Sequence, residues 1–170
     1  MSRGSLGNPI SPVLTWRSLL LYSLLLFVGI GLQSVFAVNL TLWGGRPDFL
    51  LTLALSVALL TDASLGAAAG FISGLMTAVV AGPTLGTFLV TRTIAAWVVG
   101  ALRKRFVHAG VLVTLTGVGL GSILSGVLYG LSNPRIGLDH WISLTFVGAG
   151  MNMIAALPVA ILLRWQAQRQ

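Results

Sequence analysis

Few side chains in this sequence could do chemistry, and Arg92 stands apart from the rest. It lies near the centre of FLVTRTIAAWVVG, residues 88 to 100, a stretch that reads as the middle of a membrane span. A charge at that depth costs about 3 kcal/mol on the lenient insertion scales, and its default reading is a buried, paired, functional group. Glutamate is absent, so the acids are Asp48, Asp62 and Asp139, and the histidines are His108 and His140. An intramembrane aspartyl protease needs two acids meeting in the bilayer, whereas Asp48 and Asp62 are expected at opposite faces. His108 and His140 also fall on opposite sides and cannot share a metal ion. A rhomboid-like serine protease needs Gly-x-Ser-Gly, and Gly70-Phe71-Ile72-Ser73-Gly74 has the wrong spacing. The absence of cysteine removes disulfides, thiol nucleophiles and thiolate metal sites together. No catalytic residue, cofactor site or metal site is therefore expected. For Arg92 the foremost reading is a structural ion pair or carbonyl cap inside a helix bundle. Contact with a partner and binding of an anionic substrate stay open beside it.

The elements that must position these groups are membrane helices. Hydrophobic residues make up 56% and charged residues 8% of the chain, against about a quarter charged in soluble globular domains. The 170 residues leave room for six spans and little else, which predicts a single all-α membrane domain. The net charge of +7 is no nucleic-acid signal, because no basic stripe is interleaved with aromatics. The cations sit between apolar segments, where they report topology.

The predicted spans cover about residues 17–38, 48–60, 65–81, 84–102, 109–131 and 141–163. A cleaved signal peptide is the rival reading of the first, but its apolar stretch is longer than usual and more spans follow. The region 49–82 is too long for one ordinary span. Asp62 interrupts it within TDASLG, so it reads as a hairpin of a short and a longer helix. Six crossings place Arg3, Arg17, Arg103-Lys104-Arg105, Arg164 and Arg169 on the cytoplasmic side, with both termini inside. Arg46 and Arg135 remain outside, near Asp48 and Asp139 in sequence.

Small residues mark where helices approach. Gly66, Gly70 and Gly74 form two overlapping GxxxG motifs on one helix face, and Ser122, Gly126 and Gly130 repeat the pattern later. Such faces serve packing within the chain or docking of a partner helix. Pro47 suits a first helical turn, and Asp48 there complements the helix dipole. The Arg46 guanidinium can reach lipid phosphate or Asp48. Gly82-Pro83 ends one span and starts the next.

The segments Arg46-Pro47-Asp48-Phe49-Leu50-Leu51, Gly70-Phe71-Ile72-Ser73-Gly74-Leu75 and Gly82-Pro83-Thr84-Leu85-Gly86 follow one another in an order and spacing that resembles the MreD family of bacterial rod shape-determining membrane proteins. The matching block covers about residues 46 to 105, and the remainder agrees in hydropathy and length. The chain departs from the family pattern at Ala78, where members often carry an aspartate, and Arg92 is not part of the usual pattern.

The resemblance implies a non-enzymatic component of the cell-elongation complex in the bacterial cytoplasmic membrane. Its expected partners are membrane lipids and the bitopic scaffold MreC, then RodA with its penicillin-binding transpeptidase partner, and indirectly MreB filaments. In that reading Arg46, Pro47, Asp48, Asp62 and Arg92 are polar anchors, and Gly66, Gly70, Gly74, Gly82, Pro83, Gly86, Gly126 and Gly130 are packing positions. The alternative is the substrate-binding component of an energy-coupling-factor-type vitamin transporter, a class thought to share the helical arrangement.

Overall fold

A computed structural model of the chain describes residues 27–35, 37, 39–81, 85–103 and 110–167. The regular elements among these residues are all helices, with no strand. Helix α1 covers 27–35, with 37 and 39 also helical. It is followed by α2 (Phe49–Leu60), α3 (Ala63–Ala81), α4 (Leu85–Leu102), α5 (Val111–Ser132) and α6 (Leu138–Ala167). Arg3, Arg17, Gly82, Pro83, Lys104, Arg105, His108 and Arg169 lie outside the described residues, as does most of the first predicted span.

Two helices are long and apolar enough to cross a membrane, Val111–Ser132 with 22 residues and the Leu138–Ile161 part of α6 with 24. Helix α2 is much shorter. Its 12 residues rise about 18 Å, well under the roughly 30 Å of a hydrocarbon core.

That short helix is nevertheless the centre of the packing. Leu51, Leu55 and Ala58 of α2 are buried against Ala95, Ala96 and Val99 of α4, Val118 of α5 and Ala156 of α6. Its sequence FLLTLALSVALL is apolar on every face, as a helix surrounded by others must be. The two buried hydroxyls it carries do not go unpaired. Thr52 donates to the Asp48 carbonyl at 2.8 Å, and Ser56 to the Thr52 carbonyl at 2.7 Å.

Helices α3 and α4 touch backbone to backbone, and the glycine stripe makes that possible. A Cβ on Gly70 would lie 2.5 Å from the Arg92 carbonyl oxygen, and one on Gly74 would lie 2.7 Å from that of Phe88. At Gly66 the clash is with the Ala96 oxygen at 2.8 Å, and Gly100 of α4 returns the contact against the Asp62 oxygen at 2.6 Å. Every member of the stripe is therefore used inside the chain. The second stripe behaves alike. Gly126 and Gly130 of α5 accommodate Thr145 and the Trp141 indole of α6, and Trp141 Nε1 donates to the Gly126 carbonyl at 3.0 Å. Gly86 differs, since a side chain there would meet open space.

Large apolar side chains point outward instead, among them Phe71, Val79, Trp97, Leu120, Phe146 and Ile154. Outward apolar side chains of this kind are compatible with a surface that faces lipid.

Candidate functional site

The site begins at the segment between α1 and α2. Leu42 and Gly45 exchange backbone hydrogen bonds of 3.0 and 2.8 Å around Trp43 and Gly44, which take positive φ of 45° and 83°. Two successive positive φ angles are those of a type I′ turn, natural for Gly44 and strained for Trp43. From this turn the chain runs extended along α6. The Trp43 carbonyl accepts from Ser143 Oγ, Gly45 abuts Val147 and the Arg46 carbonyl faces Gly148. The Asp48 N–H then donates to Asn152 Oδ1 at 2.6 Å. The advance from residue 143 to residue 152 is about 14 Å of helix rise. Helix α2 thus starts inside the bundle, level with the middle of α6.

A helix that starts in the interior exposes its first N–H groups to a dry environment, where each needs a partner. Side chains from three elements supply them. Asn152 of α6 takes the Asp48 N–H, and Gln33 of α1 accepts from the Phe49 N–H at 2.9 Å. Asp48 Oδ1 caps the Leu51 N–H at 2.9 Å. Pro47 is buried and brings no N–H that would need a partner. Asn152 is itself held by a 3.0 Å bond from Nδ2 to Ser122 Oγ of α5.

The other carboxylate oxygen of Asp48 forms an ion pair with the Arg92 guanidinium. The Arg92 side chain is 3% exposed and that of Asp48 21%. Arg92 Nη1 also donates to Ser73 Oγ at 3.0 Å, to the Ser73 carbonyl at 3.3 Å and to Thr77 Oγ1. The guanidinium carbon sits 5.3 Å from the centroid of the Phe88 ring, within cation–π range. Burial of a charge pair is tolerated when the remaining donors and lone pairs are filled in this way. The pair joins α4 to the start of α2 while Ser73 and Thr77 tie it to α3.

The placement of Asp48 corrects the sequence expectation that it starts the second helix at the outer face, a long helix rise away from Arg92. The extended segment 45–48 carries it inward to the level of Arg92. Asp48 is accordingly paired with Arg92 and not with Arg46, whose side chain is exposed. Asp62 stays apart. It lies at the opposite end of α2, where its Oδ1 caps the Leu65 N–H at 2.8 Å, so the two acids cannot share a proton. Arg103 donates to the Thr61 carbonyl at the C-terminal end of α2, a favourable position for a cation against the helix dipole. Ala78 is buried at 2% exposure, and an acid there would need its own partner.

Sequence reasoning did not assign Ser73, Thr77, Gln33 and Asn152 to this site. Ser73 and Thr77 lie four residues apart on the face of α3 that meets Arg92, a spacing visible in the sequence. Gln33 and Asn152 are isolated amides in apolar helices, and the inward start of α2 gives the oxygen of each an N–H to accept from. The Ser73 hydroxyl accepts from the guanidinium in this setting. Among the described residues no group of three or more His, Cys, Asp or Glu could hold a metal ion.

A cavity of about 260 Å³ adjoins the ion pair. It exists because α2 fills only one half of the bundle, between its start beside Arg92 and its end beside Arg103. The other half, between α4, α5 and α6, is left partly empty. Comparison with protein-family models, curated proteins and solved structures finds no match for this chain.

Proposed function

We propose that this protein is a non-enzymatic, multi-pass component of the bacterial cell-elongation complex, of the MreD type, which binds an MreC-like bitopic protein in the cytoplasmic membrane. The observation that supports the reading most is where the resemblance residues sit. Pro47 and Asp48 fix the start of α2, and Gly70 and Gly74 seat α3 on the α4 backbone. The first two of the motifs that suggested the family thus tie α2, α3 and α4 together.

In this reading the chain crosses the membrane six times with both termini in the cytoplasm. The short second crossing is completed by the extended segment before it. The four extended residues 45–48 add about 14 Å to the roughly 18 Å of α2, about the thickness of a hydrocarbon core. Non-helical backbone at that depth is tolerated because protein groups satisfy it. The small-residue faces are occupied within the chain, so partner helices meet the outward apolar faces, such as that of Phe71, Leu75 and Val79. MreC recruitment then links the chain to RodA, its transpeptidase partner and MreB filaments.

The test is affinity purification of the tagged chain from gently solubilised host membranes, with identification of what accompanies it. An MreC-like protein is the expected companion. Recovery of ATPase and transport subunits in its place would contradict the proposal.

A further inference from the structure

Arg46 lines the cavity and is exposed. Among the described residues its guanidinium has neither an ion pair nor a hydrogen bond. The acids of the chain are placed elsewhere. Asp48 pairs with Arg92, Asp62 caps Leu65 at the far end of α2, and Asp139 in the first turn of α6 forms no ion pair. Because Arg92 and Asp48 balance one another, Arg46 leaves the cavity lining with a net positive charge. Its depth makes that charge consequential. The Arg46 carbonyl faces Gly148, ten residues beyond Leu138 where α6 begins, or about 15 Å of helix rise. Helix α6 is long and apolar enough to cross a membrane. In the six-span reading, on which this step rests, Arg46 therefore leaves the extended segment well inside the roughly 30 Å hydrocarbon core. A cation at that depth is costly unless it meets water or an anion.

Two further donors lie at the same level. Gly126 of α5 meets Thr145 of α6, and Ser122 takes the Asn152 amide. Ser125 lies between these contacts, level with Gly148 and hence with Arg46. It is 6% exposed and lines the cavity, and its hydroxyl has no partner among the described residues yet keeps accessible surface. Gln33 of α1 also lines the cavity. Its Oε1 accepts from the Phe49 N–H, and its Nε2 has no partner among the described residues.

We propose that this cavity is a binding site for a phosphate ester, held by the Arg46 guanidinium at the mouth with the Gln33 amide and the Ser125 hydroxyl as further donors. A guanidinium fork matches two phosphate oxygens at once, and the amide and hydroxyl suit the remaining acceptors. Leu144 and Ala149 make the wall beside them apolar, a surface for a few carbons. The volume of about 260 Å³ is below the roughly 300–1,000 Å³ of sites for drug-sized ligands, so it takes a headgroup and not a whole lipid. Two sources carry this chemistry, a phospholipid headgroup and a small soluble phosphate ester.

The melting temperature of the purified full-length protein in non-ionic detergent is followed as probes are titrated. Glycerol 3-phosphate represents the soluble ester, and monomeric dihexanoylphosphatidylglycerol the lipid. Glycerate and glycerol serve as carboxylate and uncharged controls. At least one phosphate probe is expected to give a saturable rise, and both controls none. Tighter binding of the lipid assigns the headgroup as the source, and tighter binding of glycerol 3-phosphate assigns the soluble ester. Without probe, Arg46→Gln and Ser125→Ala are expected to melt close to wild type. Each should lower affinity for the better phosphate probe at least tenfold, while Arg135→Gln, an exposed cation between α5 and α6, retains it. Absence of a saturable shift with both phosphate probes would overturn the proposal, as would equal binding of glycerate or unchanged affinity in Arg46→Gln or Ser125→Ala. An equal loss in Arg135→Gln would show general charge attraction in place of a site. Melting of Arg46→Gln well below wild type would show that the guanidinium serves the fold, which also contradicts it. Failure here leaves the topology and the partner untouched, because labelling and co-purification test those.

Discussion

The Asp48 N–H donates to Asn152 Oδ1 at 2.6 Å across 104 positions of sequence. Asn152 lies 14 residues beyond Leu138, where α6 begins, or about 21 Å along that helix. This bond places the start of α2 in the middle of the bundle. The ion pair of Asp48 with Arg92 and the cavity beside it both follow from that one placement.

Removing the amides that cap α2 is expected to be expensive for so few atoms. Asn152→Leu leaves the Asp48 N–H and Ser122 Oγ without their partner, and Gln33→Leu does the same to the Phe49 N–H. Each unpaired buried group costs about 1–3 kcal/mol. Denaturant unfolding in detergent should show Asn152→Leu as the more damaging of the two. Equal stability to wild type would mean that water reaches the start of α2.

Substitutions in the glycine stripe separate internal packing from docking. Gly70→Leu and Gly74→Leu set a side chain where the Arg92 and Phe88 carbonyls already lie, so α3 and α4 are forced apart. Melting temperature and folded yield should both drop, with partner recovery falling as a consequence. Gly86→Leu, at a position that meets open space, should leave stability close to wild type. If Gly70→Leu kept full stability and lost only the partner, the stripe would be a docking face.

Much of the helical order was legible from apolar runs and their breaks. Asp62 marks an end that local chemistry dictates, and the hairpin of a short and a long helix follows from it. The depth of α2 was not legible. Hydropathy reads Phe49–Leu60 as an apolar segment but says nothing of where it sits along its neighbours. That depends on the extended run 45–48 bedding against α6 through Gly45 and Gly148, a long-range contact with no local signature. For the same reason Arg92 could be recognised as a group in need of a partner, while the choice between exposed carbonyls and Asp48, which called for a tilted or re-entrant hairpin, stayed open. The polar partners Ser73, Thr77 and Asn152 are ordinary residues made significant by that geometry.

Topology can be read by labelling. Cysteines introduced singly at Val107, just after the basic cluster, and at Ser132, at the end of α5, should react with impermeant reagents from opposite sides of the membrane. The natural chain has no cysteine to interfere. Reaction of both from outside would exclude the six-span arrangement.

Arg92 tolerates little change if its whole fork is in use. Arg92→Lys retains the charge but cannot reach Asp48, Ser73 and Thr77 together, and it should recover only part of the stability lost in Arg92→Leu.

The central claim is that Arg92 and Asp48 act as a unit, and a double-mutant cycle measures this directly. Wild type, Arg92→Leu, Asp48→Asn and the double variant are compared by reversible unfolding in detergent; asparagine retains the Oδ1 that caps Leu51. Each single change strands a buried partner and is expected to cost about 3–5 kcal/mol. The double variant should lose at least about 2 kcal/mol less than the two singles together, within the range of coupling for residues in contact. Additivity to within about 0.5 kcal/mol would contradict the account, because Arg92 and Asp48 would then contribute independently.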